Sequence, residues 1–130
     1  GGSVPFEDCI IRNCAINNTD SVGIRATIRM IISNCLIDNP GATGITSGSD
    51  DWIVANTVIK SPGGNGGISG IGNDNIVIGN RVINSSDDGI SSAGTEFIVA
   101  NNRVSDSSAS DLNDGGTGTV LDGNLTGPSN

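Results

Sequence analysis

Three acidic residues, Asp50, Asp74 and Glu96, recur at nearly even spacing along the chain, with Glu7 as an earlier member of the set. If that spacing is a structural period, the carboxylates stack, and stacked carboxylates repel unless solvated, protonated or bridged by a cation. Three uses follow. The set can be a solvated acidic edge. It can be a Ca²⁺ site built from hard oxygen ligands. It can also supply a general acid/base pair for glycoside cleavage, which works with two carboxyls roughly 5–9 Å apart. A second acidic feature is SSDDGISS at 85–92, with Asp87 and Asp88 adjacent. Asp in such a turn bonds its own backbone, so the pair reads as a corner, with a catalytic role as the alternative. Arg81 and Arg103 are separated by the same interval as Asp74 and Glu96. Stacked, they either find an acid such as Asp106 or grip the carboxylate of an acidic sugar.

Composition narrows the chemistry. The chain of 130 residues has no His and no Tyr, and its three cysteines, Cys9, Cys14 and Cys35, lack zinc-ligand spacing. Their odd number argues against a disulfide framework and for small buried thiols. With only six basic residues and a net charge of −8, the chain lacks the basic patch that nucleic-acid binding needs. No apolar window is long enough to cross a membrane as a helix. The apolar 35% is mostly Ile and Val, with 2% aromatics and 20 Gly. Such a core of small and β-branched side chains suits regular stacking better than an irregular globule.

What would position the acids is an internal repeat. Asn13, Asn34, Asn56, Asn80, Asn102 and Asn124 follow one another at intervals of 21, 22, 24, 22 and 22. A second mark, Gly23-Ile24, Gly44-Ile45, Gly67-Ile68 and Gly89-Ile90, with Asp111-Leu112 in fifth place, runs at 21, 23, 22 and 22. Between the marks lie short β-branched runs separated by Gly, Asn, Ser and Asp, which is strand-and-turn grammar without a helical period. A unit this short cannot bury its own apolar face, but stacked copies can, each strand pairing in parallel with its copy one turn on. The expected fold is all-β: a right-handed parallel β-helix of about five coils, about 22 residues per coil. Gly1-Gly2-Ser3 reads as an engineering scar, residues 4–126 as the β-helix, and 127–130 as a polar C-terminal tail.

Stacking turns each repeat position into a column. Aligned on the repeated Asn, that Asn is an inward amide ladder. The positions four before (Cys9, Met30, Trp52, Ile76, Ile98, Val120), two before (Ile11, Ile32, Val54, Ile78, Ala100, Asp122) and two after (Ala15, Leu36, Val58, Val82, Val104, Thr126) also point inward. Asp122 and Thr126 then mark a wetter terminal coil. The position three before, Ile10, Ile31, Ile53, Val77, Val99 and Leu121, is aliphatic throughout, although strict alternation points it outward. Either a local bend turns it in, or it is a stripe buried against another chain. Arg81 and Arg103 share a column with Cys14 and Cys35. The Gly-rich SPGGNGGISGIGNDN, 61–75, lengthens one coil by two residues as an outward bulge that could line a groove.

The text N-x-V-I-x-G-N-x-V, followed by Asn/Ser and then D-G-I, resembles the right-handed β-helix repeats of the pectate-lyase-like superfamily over roughly residues 8–126. That superfamily includes polysaccharide lyases, polygalacturonases, mannuronan epimerases and phage tailspikes. The epimerases and alginate-type lyases use His and Tyr, which this chain lacks. Of the polygalacturonase pattern, Asn18-Thr19-Asp20 and Asp87-Asp88 are present but lie three coils apart, and GHG and RIK are absent. A pectate-lyase mechanism wants Ca²⁺-binding acids with an Arg base, residue types that Asp50, Asp74, Glu96 and Arg81 or Arg103 supply. The resemblance therefore implies a non-enzymatic shaft or glycan-contact module of an extracellular or virion-surface protein of tailspike or adhesin type. The implied partners are a polysaccharide or cell-surface glycan, with a homo-trimer or end-to-end association of chains. A polysaccharide lyase or glycoside hydrolase acting on an acidic glycan is the alternative, and a purely structural, self-assembling β-helix the third reading.

Overall fold

The computed structural model describes residues 7–64 and 66–128, so Asn65, the Gly1-Gly2-Ser3 opening and the last two residues of the tail lie outside the described residues. Those described form 17 short strands, all paired in parallel, in three sheets of six, six and five. Sheet A stacks Ile10–Arg12, Ile31–Ser33, Ile53–Ala55, Ile76–Ile78, Ile98–Ala100 and Val120–Asp122. Sheet B stacks Ala15–Asn17, Leu36–Asp38, Val58–Lys60, Arg81–Ile83, Arg103–Ser105 and Leu125–Thr126. Sheet C stacks Ile24–Ala26, Ile45–Ser47, Ile68–Gly70, Ile90–Ser92 and Leu112–Asp114. Each coil contributes one strand to each sheet, which makes the molecule a parallel β-helix.

All but the last strand are three residues long, and a left-handed backbone residue stands before sheet A, five residues on between sheets A and B, and five further on after sheet B. Among the described residues, all fourteen non-glycine residues of positive φ fall on three columns. Asp8, Arg29, Asp51, Asp74 and Glu96 precede sheet A, with Gly118 completing the column. Asn13, Asn34, Asn56, Gly79, Asn101 and Gly123 separate sheets A and B. Asn18, Asn39, Ser61, Asn84 and Asp106 follow sheet B. Asn, Asp and Gly dominate because they enter this region at the lowest cost. Backbone pairing continues through the bends: Asn34 N–H donates to the Ala55 carbonyl and Asn56 N–H to Ile78, so each corner is also a rung.

After each corner, side chains alternate in and out. The centre residue of every strand in sheets A and B points inward: Ile32, Val54, Val77 and Val99 in sheet A, and Ile37, Ile59, Val82 and Val104 in sheet B, all essentially inaccessible. Ile24, Ile45, Ile68 and Ile90 close the triangle from sheet C. Burying each such side chain contributes about 1.5–3 kcal/mol. Trp52 and Phe97 enter from the position before sheet A and meet edge to face, with centroids 5.9 Å apart. Gly70 makes the space, since a Cβ there would lie 2.4 Å from the Trp52 ring.

The register corrects several columns expected from the sequence. Ile53 pairs with Ile76, so the Gly-rich coil is longer by one residue rather than two. An alignment that matches Asn56 with Asn80 therefore slips by one. Two asparagine columns replace one. Asn13, Asn34 and Asn56 are exposed corners and share that role with Asn101, whereas buried Asn80 and Asn102 and half-buried Asn124 point inward and continue the column of Cys14, Cys35 and Thr57. Cys14 and Cys35 thus do not share a column with Arg81 and Arg103, whose neighbour is Val58. The column four before the Asn continues from Cys9, Met30 and Trp52 into Asn75 and Phe97, not Ile76, Ile98 and Val120. Inward continuations at the other two positions are Val77, Val99 and Leu121, and Ile16, Ile37 and Ile59. Ile78, Ala100 and Asp122 instead align with outward Ala55, and Ala15, Leu36 and Val58 with outward Arg81. The polar Asp122 is thus no break in the core. The aliphatic stripe divides in the same way: no bend turns Ile10, Ile31 and Ile53 inward, and they continue outside as Ile76, Ile98 and Val120, while Val77 and Val99 are core.

Two adjacent asparagines therefore carry opposite requirements. Asn102 Oδ1 accepts from Asn80 N (2.9 Å) and Nδ2 (3.1 Å), and its Nδ2 donates to Val77 O and Asn124 Oδ1 (3.0 Å each). Asn102→Gly strands those partners and is expected to cost about 2–4 kcal/mol in urea unfolding. Asn101→Gly keeps the left-handed corner and is expected to change stability by less than about 0.5 kcal/mol.

Candidate functional site

The outer surface is a set of parallel columns, one rung apart at roughly 4.8 Å. At the corner before sheet A, Asp51, Asp74 and Glu96 stand in consecutive coils, all exposed. The acid that stacks with Asp74 and Glu96 is thus Asp51, not Asp50. Asp50 belongs one column earlier, where its Oδ1 accepts from Asn73 N at 2.8 Å, and the Thr95 hydroxyl in turn donates to Asn73 Oδ1. At the first coils the same corner is ion-paired. Arg29 donates from Nε to Asp8 Oδ1 (2.6 Å) and from Nη2 to Glu7 Oε2 (2.8 Å). The Asp8 hydrogen bond holds that carboxyl below its ordinary value. Glu7 therefore serves as a partner of Arg29 rather than as a rung of the Asp74–Glu96 stack.

Asp87 and Asp88 sit in the bend before sheet C. Asp88 Oδ1 accepts from Ser110 N (3.1 Å) and Oδ2 from Asn113 Nδ2 (2.7 Å), joining its coil to the next. Asp87 N–H donates to Ser85 Oγ (3.4 Å), whose hydroxyl donates to Asp88 O (2.8 Å). The SSDDGISS acids thus close a corner. Among the described residues, no group of three or more Cys, Asp or Glu side chains converges as a metal-ligand set.

Two further outward columns lie on sheets B and C. Arg81 and Arg103 pair in register on the outer face of sheet B, both exposed. Arg25, Thr46, Ser69, Ser91 and Asn113 form the outward column of sheet C. Every coil thus repeats one backbone path and varies only what it displays. That regularity matches a known family description, Right handed beta helix region, across residues 2–129. The chain belongs to this family. No curated protein and no solved structure matches it.

One carboxylate of this right-handed β-helix escaped the sequence reading. Asp114 closes sheet C and its Oδ1 accepts from Ser92 Oγ (3.1 Å), Gly116 N (3.0 Å) and Thr119 Oγ1 (2.9 Å). It stands in register with Ala26, Ser47, Gly70 and Ser92, a column of small residues, so only correct alignment marks it as unusual. The Gly116 N–H, then the Thr119 hydroxyl, with Ser92 adding, hold its carboxyl below the ordinary 3.8 against a smaller opposing effect of burial. A depressed folded-state pKa stabilises the β-helix above the unfolded pKa, and that contribution disappears as pH falls through the folded value. Asp114→Ala is therefore expected to lower the melting temperature at neutral pH. The gap between variant and parent should close as pH falls below about 3.8, as thermal melts across that range would record.

Proposed function

We propose that the chain is a non-enzymatic β-helical shaft or glycan-contact module of an extracellular or viral surface protein. The supporting observation is Arg81 directly over Arg103 on the open face of sheet B. Two guanidiniums one rung apart repel, and an anionic group seated between them removes that repulsion while meeting fixed, forked donors. A carboxylated polysaccharide lying along the solenoid axis offers such groups repeatedly. The candidate acids Asp50 and Asp88 meanwhile accept hydrogen bonds from their own fold, which favours a structural task for them over turnover.

The alternative, a polysaccharide lyase or glycoside hydrolase, rests on the exposed in-register acids Asp51, Asp74 and Glu96, whose spacing of roughly 5 Å suits a carboxyl pair. Ca²⁺ bridging that edge is the cofactor such a reading would use.

Binding to acidic polysaccharides, measured by affinity electrophoresis, is expected for the parent chain and to weaken about tenfold or more in Arg81→Ala/Arg103→Ala, with weakening by salt. Unsaturated or reducing ends generated by the parent and abolished by Asp74→Asn would instead establish the enzyme. A rise in melting temperature with millimolar Ca²⁺ would support the bridged edge.

A further inference from the structure

The outer face of sheet A carries two columns. One is Ile10, Ile31, Ile53, Ile76, Ile98 and Val120, of which Ile10, Ile31, Ile98 and Val120 are 62%, 37%, 41% and 53% exposed. Beside it runs a mostly smaller column of Arg12, Ser33, Ala55, Ile78, Ala100 and Asp122. Apolar side chains in one continuous row, half-buried at Ile53 and Ile76 and exposed at the other four, along a chain of net charge −8 mark an interaction surface rather than incidental exposure.

We infer that this face pairs with the same face of a second copy, the two solenoid axes parallel. The pairing goes beyond the glycan reading and uses a different sheet. Two face-to-face arrangements bring like faces together. A two-fold axis along the solenoid sets the isoleucine column of each copy against the smaller column of the other, so Ile53 meets Ala55 and Ile98 meets Ala100. At these rungs and at Ile31 against Ser33 a large side chain faces a small one, as close packing requires, whereas Ile10 meets Arg12, Ile76 meets Ile78 and Val120 meets Asp122. The same operation places Asp51, Asp74 and Glu96 opposite the partner's far corner, Asn56, Gly79 and Asn101, where amides can donate to the carboxylates. A two-fold axis across the solenoid does the reverse. It sets isoleucines on isoleucines and brings Asp51 of each copy to Asp74 of the other, where like charges repel, while it also sets Arg12 against Asp122 and Arg29 against Glu96. Packing at the Ile31, Ile53 and Ile98 rungs selects the parallel pair.

The footprint limits its strength. Six rungs at about 4.8 Å by about five residues of width give roughly 400 Å² per copy. That is about half the 800 Å² per partner of a standard stable interface, so the expected dimer is weak and transient.

Sedimentation equilibrium up to millimolar chain is the test. The parent is expected to dimerise reversibly, Ile76→Glu to weaken the dimer at least tenfold, and Ser91→Glu, which adds the same charge on sheet C, to leave it within twofold. Ala55→Leu fills the hollow that Ile53 of the second copy enters and is expected to weaken pairing several-fold. All four proteins should keep the same circular dichroism spectrum and melting temperature, since these side chains point outward. A parent that stays monomeric at millimolar concentration overturns the proposal, as does a dimer indifferent to Ile76→Glu, which would be joined through its ends. Tightening by Ala55→Leu overturns the parallel arrangement.

Discussion

The structure depends on the left-handed corner. An extended chain cannot close into a three-sided coil without abrupt bends, and here each of the three connections contains a left-handed residue, with φ of 49–71°. That single residue also resets the alternation, so the next side chain points inward. The corner N–H still donates to a carbonyl of the next coil, and after the A–B corner a side-chain oxygen accepts the following N–H from Cys35, Thr57, Asn80 and Asn102, so these donors stay paired in turning. Sequence preference for Asn, Asp and Gly at these positions, strand length and the three-sided core are consequences of this one local geometry.

Given the corners, energetics divides into an apolar and a polar share. Inward Ile and Val columns drive stacking without specifying register, because neighbouring aliphatic rungs are interchangeable. The ladder of Thr57, Asn80, Asn102 and Asn124 adds that specification: each asparagine side-chain oxygen accepts the backbone N–H of its equivalent one coil earlier, so a shift by one residue would bury unmatched amides. Most outward side chains then carry no part of the core, Asn113, which bonds Asp88 of the coil before, being an exception. Paired arginines, an acidic edge and an aliphatic face can be displayed by one scaffold.

Period and fold class were legible in the sequence because a stack copies its constraints once per turn. Register was only partly legible, and the cause is chemical. Asparagine serves both as a left-handed corner and as an inward amide, at adjacent positions, and Asn101-Asn102 holds both roles in one coil. The Gly-Ile marks step by 23 across the Gly-rich coil where the asparagines step by 24. That one-residue disagreement was the available sign that Asn56 and Asn80 are different kinds of residue. From it follow the replacement of Asp50 by Asp51 in the acidic edge and the division of the aliphatic stripe. The Arg81–Arg103 pair and the turn role of Asp87 and Asp88 survived because each needs only a local spacing. Asp114 was invisible because its partners Ser92, Gly116 and Thr119 are ordinary loop residues until folding gathers them.

Hydrogen exchange of asparagine side-chain amides, resolved by NMR, measures the two-column arrangement directly. The Nδ2 protons of Asn80 and Asn102, bonded to the carbonyls of Val54 and Val77, should be strongly protected, and those of exposed Asn34, Asn56 and Asn101 should exchange nearly as fast as in a free peptide. Protection shared equally by Asn34, Asn56, Asn80 and Asn102 would mean a single continuous amide ladder, and the corner-based register described above would be wrong.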